Sequence, residues 1–248
     1  VGFEAGNDIT TGLYNTLIGG LAGDALTDAD HNVAIGFNAL STDTLGSASI
    51  AIGKGALNGQ NFTTATTAYN VAVGHSAGTS VTTGVQNTLI GGVAGDAITD
   101  GGENVAVGYN SLTTNTRSYY NVAVGNSALA AHNLTTASAG YNIGVGHNAG
   151  AAITTGTQNT YIGGLAGDAA TASVENVAVG YQALSADTLG SKSVAVGRMA
   201  LLSQNQTTAT DVYNVAVGHN AGQQVTTGVE NTILGGLAAD ALTTGGQN

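Results

Sequence analysis

The string Asn-Val-Ala-Val-Gly and its close variants recur at fixed intervals, and no other feature of the chain restricts its fold as tightly. It begins at Asn15, Asn32, Ser49, Asn70, Asn87, Asn104, Asn121, Asn142, Asn159, Asn176, Ser193, Asn214 and Asn231, and would begin again at Asn248. The intervals are 17, 17, 21 and 17 residues, then the same four again, so the full period is 72 residues. The chain reads as one continuous array over 1–248. It has a partial copy at 1–14, full copies at 15–86, 87–158 and 159–230, and a partial copy at 231–248. Val1 falls in mid-motif and Asn248 falls where a motif should start. The chain is therefore expected to be a window in a longer protein, and the lack of a leader carries no weight.

A unit this short cannot bury its own aliphatic residues, whereas stacked units bury one another's and continue each other's β-ladders. With the Asn or Ser as position zero, position three is always Ile, Val or Leu (Ile18, Ile35, Ile52, Val73, Ile90, Val107) and position four is always Gly. A second apolar residue usually follows eleven to thirteen positions in, as at Leu26, Leu45, Val81, Ile98, Leu134 and Ile153. Each unit then resembles a strand, a glycine bend and a second short strand closed by a polar turn. Gly at position four suits a bend or a close backbone approach. The asparagines at position zero are expected to stack as amide ladders. The fold class that follows is all-β, an elongated parallel β-solenoid. At about 4.8 Å per coil, roughly fourteen coils would give a rod about 65–70 Å long.

Composition agrees where it bears on the fold. There is no proline to remove a ladder donor, and there are 39 glycines. Only 8% of residues are charged, against about 25% in a globular domain. The net charge of −11, from 15 acids and 4 bases, argues against a nucleic-acid groove. No apolar run approaches the roughly 20 residues of a membrane span, so no membrane insertion is expected in this segment. The absence of cysteine excludes disulfides and thiolate chemistry.

The tandem string NVAIG or NVAVG followed by xxAL or xxAG resembles the YadA-like head repeats of trimeric autotransporter adhesins, and similar repeats occur in bacteriophage tail fibres. The likeness runs the length of the chain on about eight positions per unit. It implies left-handed parallel β-rolls, three chains side by side, displaying adhesive surfaces. The units here are longer than is common in that family, so each coil carries a longer turn. The family has no catalytic residues to carry over.

Several columns are candidates for function. Position five cycles through Gly (Gly20, Gly92, Gly164), an aromatic residue (Phe37, Tyr109, Tyr181), a cation or amide (Lys54, Asn126, Arg198) and His (His75, His147, His219). In a trimer the histidines would meet copies of themselves, and neutral imidazole is a common metal ligand. Phe3 fills the same place in the first partial copy, however, so a packing or hydrogen-bonding role is expected and no metal or cofactor is assigned. Asp24, Asp96, Asp168 and Asp240 recur singly, too sparse for a calcium site, and are expected to bond backbone N–H groups in a turn.

The 21-residue coil holds an N-x-T-T-A string at Asn61, Asn133 and Asn205, with a closing Tyr at Tyr69, Tyr141 and Tyr213. These asparagines fit the N-glycosylation pattern, and an Asx or Thr turn explains them as well. The six residues are the candidate partner-facing loop, expected to be the one feature that projects.

Near-identical copies suit a uniform scaffold, whereas an active site needs a unique constellation. The expectation is a structural or adhesive extracellular fibre at a cell or virion surface. It would self-associate as a trimer or filament, contact a host surface glycan or receptor, and have no catalytic role. The alternatives are a carbohydrate- or ice-binding solenoid, which should show regular Thr ladders, and a glycan-cleaving spike, which needs opposed carboxylates.

Overall fold

The computed structural model describes residues 1–248. The chain is an all-β parallel solenoid without helix, containing thirteen three-residue strands and six two-residue strands. It divides into two compact units. One comprises Val1–Asn121 with Asn133–Ser138, the other Val122–His132 with Ala139–Asn248.

Register is fixed one motif on another. In the first unit Thr16 pairs with Val33, Val33 with Ile50, Ile50 with Val71, Val71 with Thr88 and Thr88 with Val105, all in parallel. In the second, Val122 pairs with Ile143, and the series continues through Thr160, Val177, Val194 and Val215 to Thr232. The 21-residue coil keeps this register because its extra residues leave the ladder and return. A second short ladder, Gly46↔Thr66 and Ser47↔Thr67, closes behind them.

The strands are short because position four ends them. Gly36, Gly53 and Gly74 have φ of 135°, 131° and 144°. A Cβ on Gly53 would lie 2.4 Å from the carbonyl oxygen of Gly74. No side chain fits, and the column is glycine for that reason.

Three residues alternate across a strand, so position two faces in while positions one and three face out. The interior therefore rests on Ala34, Ala51, Ala72, Ala106 and their equivalents, all fully buried. The conspicuous aliphatic residues at position three lie outside this interior. Ile18, Ile90 and Ile162 are 46%, 38% and 38% exposed. The even spacing of Val-Ala-Val puts both large side chains on the outer face.

Bulk in the core is exchanged between two positions. Coils of the second and third type carry Ala at position two and buried Leu at position eight, as at Leu40, Leu57, Leu112 and Leu129. In the three full copies the first-type coil carries Leu17, Leu89 or Tyr161 at position two, and glycine at position eight of the same and the preceding coil leaves the room. A Cβ on Gly78 or Gly95 would lie 2.6 or 2.7 Å from the Leu89 side chain.

The asparagine at position zero fastens two coils at once. In Asn159, Nδ2 donates to Ser173 O at 2.9 Å and closes its own coil, while Oδ1 accepts the N–H of Asn176 at 3.0 Å in the next. Asn32 does the same with Gly46 and Ser49, and Asn70 with Gly84 and Asn87. The amide ladder expected from the sequence is present as well, with Nδ2-to-Oδ1 bonds of 3.3 Å from Asn87 to Asn70 and 3.2 Å from Asn104 to Asn87. Side-chain-to-backbone bonds nonetheless form the larger part of the fastening.

The residue just before each asparagine is left-handed although it is not glycine: Tyr69, Gln86 and Glu103 have φ of 52°, 58° and 56°. Such a conformation costs about 1–2 kcal/mol. It turns the N–H groups of Gln86 and Glu103 onto Ala68 O and Val85 O of the preceding coil at 2.8 and 2.9 Å, so the corner still contributes to the ladder.

Candidate functional site

Position twelve explains the long-coil asparagines. It reads Thr10, Thr27, Thr44, Asn61, Thr82, Thr99, Thr116, Asn133, Thr154, Thr171, Thr188, Asn205 and Thr226. Each threonine hydroxyl reaches one coil onward. Thr27 donates to Thr44 O at 3.0 Å, Thr82 to Thr99 O at 3.1 Å and Thr171 to Thr188 O at 3.0 Å. Where the next coil is the long one, the asparagine receives the hydroxyl. Asn133 Oδ1 accepts from Thr116 Oγ1 at 2.8 Å, Asn205 Oδ1 from Thr188 Oγ1 at 3.0 Å and Asn61 Oδ1 from Thr44 Oγ1 at 3.3 Å. All three asparagines are half-buried, and the residues after them, Phe62, Leu134 and Gln206, are buried.

What projects is the tip that follows, residues 63–65, 135–137 and 207–209, together with exposed Tyr69, Tyr141 and Tyr213. The structure thus separates the expected Asn-and-Tyr loop, drawing the asparagines into the ladder and leaving the tyrosines outside. In the last copy Tyr213 takes part in a surface cluster: Lys192 Nζ lies 2.7 Å from Asp211 Oδ2, 3.3 Å from Tyr213 Oη and 5.4 Å from its ring centroid. The loop is not alone in projecting.

Position five also faces solvent. Phe37, Tyr109 and Tyr181 are exposed, each ring lying over the glycine of the preceding coil; a Cβ on Gly20 or Gly92 would meet the ring at 3.4 Å. That contact accounts for the Gly-aromatic succession. His75, His147 and His219 are exposed, and His219 Nε2 lies 3.3 Å from Arg198 Nη1. No three His, Asp or Glu side chains of the chain converge as metal ligands would, and the surface has no pocket. Two of the recurrent aspartates serve the stack by side-chain contacts between coils: Asp96 accepts from Thr113 Oγ1 at 2.5 Å and Asp168 from Ser185 Oγ at 2.6 Å. At Asp24 burial raises the carboxyl pKa, opposed by the backbone N–H groups of Asp24 and Ala25.

No family model, curated protein or solved structure matches the chain. The YadA-like resemblance accordingly rests on the repeat motif alone.

One polar cluster escaped the sequence reading because its column was taken as apolar. Position eleven is buried Leu26 in the first coil and Val81 in the fourth, but Asp43 and Gln60 in the second and third, both fully buried. Asp43 Oδ1 accepts the N–H groups of Gly46 and Phe62 at 3.1 and 3.0 Å, and Oδ2 accepts Gln60 Nε2 at 2.5 Å. Gln60 also donates to Ser49 Oγ at 3.1 Å and accepts from Asn70 Nδ2 at 2.9 Å. Asp187, Gln204, Ser193 and Asn214 repeat the arrangement in the second unit, with Gln204 Nε2 2.6 Å from Asp187 Oδ2. In the middle copy the same positions hold Asn115, His132 and Asn121, all buried. The signal available beforehand was the joint change at four positions in one copy, Ser118 standing where the others have Gly46 and Gly190.

His132 makes the middle copy acid-sensitive. Burial lowers its pKa from about 6.5 to about 4, opposed by a hydrogen bond to the backbone carbonyl of Thr154. A folded-state pKa below the unfolded one means that the unfolded chain takes up the extra proton. Stability is therefore lost as pH falls from about 6.5 toward about 4, and levels off below that. The expected contribution is ~3 kcal/mol. Urea unfolding at pH 7 and pH 4 should show this loss shrinking in His132→Gln, the residue found at Gln60 and Gln204; an unchanged difference would refute it.

Proposed function

We propose that this chain is a segment of a multi-chain extracellular fibre, three copies packed through the outer face of the main sheet, with a structural and adhesive role at a cell or virion surface and no catalytic role. The supporting observation is the composition of that face. Its positions one and three are filled by pairs such as Val33 and Ile35, Ile50 and Ile52, Val105 and Val107, Val177 and Val179, and Val194 and Val196. No coil places a charged residue at either position, and Thr16, Thr88, Thr160 and Thr232 are the only polar ones. A strand with one wet face alternates apolar and polar residues; strands apolar on both faces are characteristic of sheets covered on both sides.

The copy of the chain that covers one such face would bring an identical face of its own, and a symmetric trimer closes the set. The ice-binding alternative gains nothing from position twelve, whose hydroxyls donate to carbonyl groups or Asn Oδ1 of the next coil. Light scattering on the chain should give three times its 24.2 kDa mass. Placing lysines at Val177 and Val194 should convert that species to monomer with the β-signal in circular dichroism retained. A native chain that is monomeric at micromolar concentration would sink the trimeric fibre.

A further inference from the structure

We infer that the buried Asp-Gln pair at position eleven is a phase key, a contact that permits only the third coil of a copy to stack on the second. The problem it addresses is built into the repeat. All coils share the position-four glycine column and the main parallel ladder, so those two features alone do not distinguish a neighbouring coil from the next but one. Repeat proteins are prone to this kind of misassembly.

Asp43 and Gln60 break the degeneracy. Every polar atom of the pair's carboxylate and amide groups is engaged in the correct stack, within a fully buried site. Were the third coil looped out and the fourth seated in its place, Val81 would face the Asp43 carboxylate and leave a buried charge without its Gln partner, an arrangement that is strongly disfavoured. The same logic holds for Asp187 and Gln204 against Val225. A single buried polar residue fixing register in coiled coils is the closest physical parallel. The middle copy strengthens the inference, since Asp, Gln and Ser change there together to Asn115, His132 and Asn121. The key concerns coil order within a chain and is independent of how many chains pack together.

The absence of cysteine allows a direct test. Ser41 and Asn58 touch across the second and third coils, with Asn58 Nδ2 2.6 Å from Ser41 Oγ. A Ser41→Cys/Asn58→Cys chain, refolded from denaturant and oxidised, reports correct stacking. Ser41→Cys/Thr79→Cys reports a skipped third coil. With the native key the first disulfide should dominate and the second be scarce. With Asp43→Leu/Gln60→Val the skipped product should rise at least tenfold; a skipped product as scarce as before would overturn the proposal.

Should that variant not fold, because the Gly46 and Phe62 N–H groups lose their acceptor, a second comparison decides. Asp43→Asn alone mismatches the key, whereas Asp43→Asn/Gly46→Ser/Ser49→Asn/Gln60→His installs the set of the middle copy, in which Ser118 stands where Gly46 does and bonds Asn115 and Asn121. The matched set should cross-link like the native chain and the mismatched one should accumulate the skipped product. Equal behaviour of the two would overturn the key.

Discussion

Gly180→Ala is expected to disrupt the second unit, with a loss of more than about 3 kcal/mol in urea unfolding or no soluble folded chain at all. The reason is geometric on two counts. Gly180 has φ of 137°, outside the range of an L side chain, and its added Cβ would lie 2.5 Å from the Gly197 carbonyl oxygen. That neighbour is backbone held in a ladder, with Gly197 N donating to Val179 O at 2.8 Å, so it cannot swing aside. The control is one residue type away. At Gly164 a Cβ would find its nearest heavy atom 3.6 Å off, on the Tyr181 ring, and Gly164→Ala should stay within about 1 kcal/mol of the parent. Similar losses for the two would show that the column is glycine for some reason other than the close approach.

Tyr161 gives the second large effect. In the first and second copies the space beside position eight is filled by two side chains: a Cβ on Gly23 would meet both Leu17 and Leu26 at 2.8 Å, and one on Gly95 would meet Leu89 and Ile98 at 2.7 and 2.9 Å. Beside Gly167 the Tyr161 ring alone fills it, with its nearest atoms at 2.4 to 2.7 Å. Matching changes surround it: Ala170 where the other copies have Leu26 and Ile98, Ser173 where they have Ala29 and Gly101, and, in the preceding coil, Gly144 where the corresponding coil before Leu89 has Ala72. Ser173 Oγ lies 3.3 Å from the phenol, whose pKa burial raises to about 12. Tyr161→Leu should cost roughly 2–4 kcal/mol through the void it opens, and Ala170→Leu roughly 1–3 kcal/mol through overpacking. The double variant rebuilds the Leu17 and Leu26 arrangement and should recover most of the loss, a coupling of at least about 1 kcal/mol in a double-mutant cycle. Simple additivity of the two losses would show that the bulk exchange does not operate there.

Much of the fold could be read from the chain because the repeat states it many times over. The coil boundaries, the parallel register and the bend at position four follow from spacing and from glycine chemistry, and Asn at position zero followed from its capacity to bond along a stack. The direction of the strand side chains was not legible from spacing alone: Val and Ile at position three face out while the small Ala between them is the buried residue. Spacing alone did not show that Asn61, Asn133 and Asn205 occupy the threonine column, because the extra residues of the long coil fall after them. The Asp43–Gln60 contact joins residues 17 apart on successive coils, and only stacking brings them together.

The exchange of bulk between positions two and eight has a genetic consequence. Neighbouring coils are alike in backbone and unlike in volume, so losing a first-type coil would leave glycine and alanine facing a gap. Losing a fourth-type coil would instead press Leu57 and its equivalents against Leu89 and its own. Gain or loss of a whole 72-residue block restores each contact. Recombination between copies can therefore change the number of blocks with little penalty, while any crossover out of phase is selected against, and lengths among descendants of this gene should differ in whole blocks.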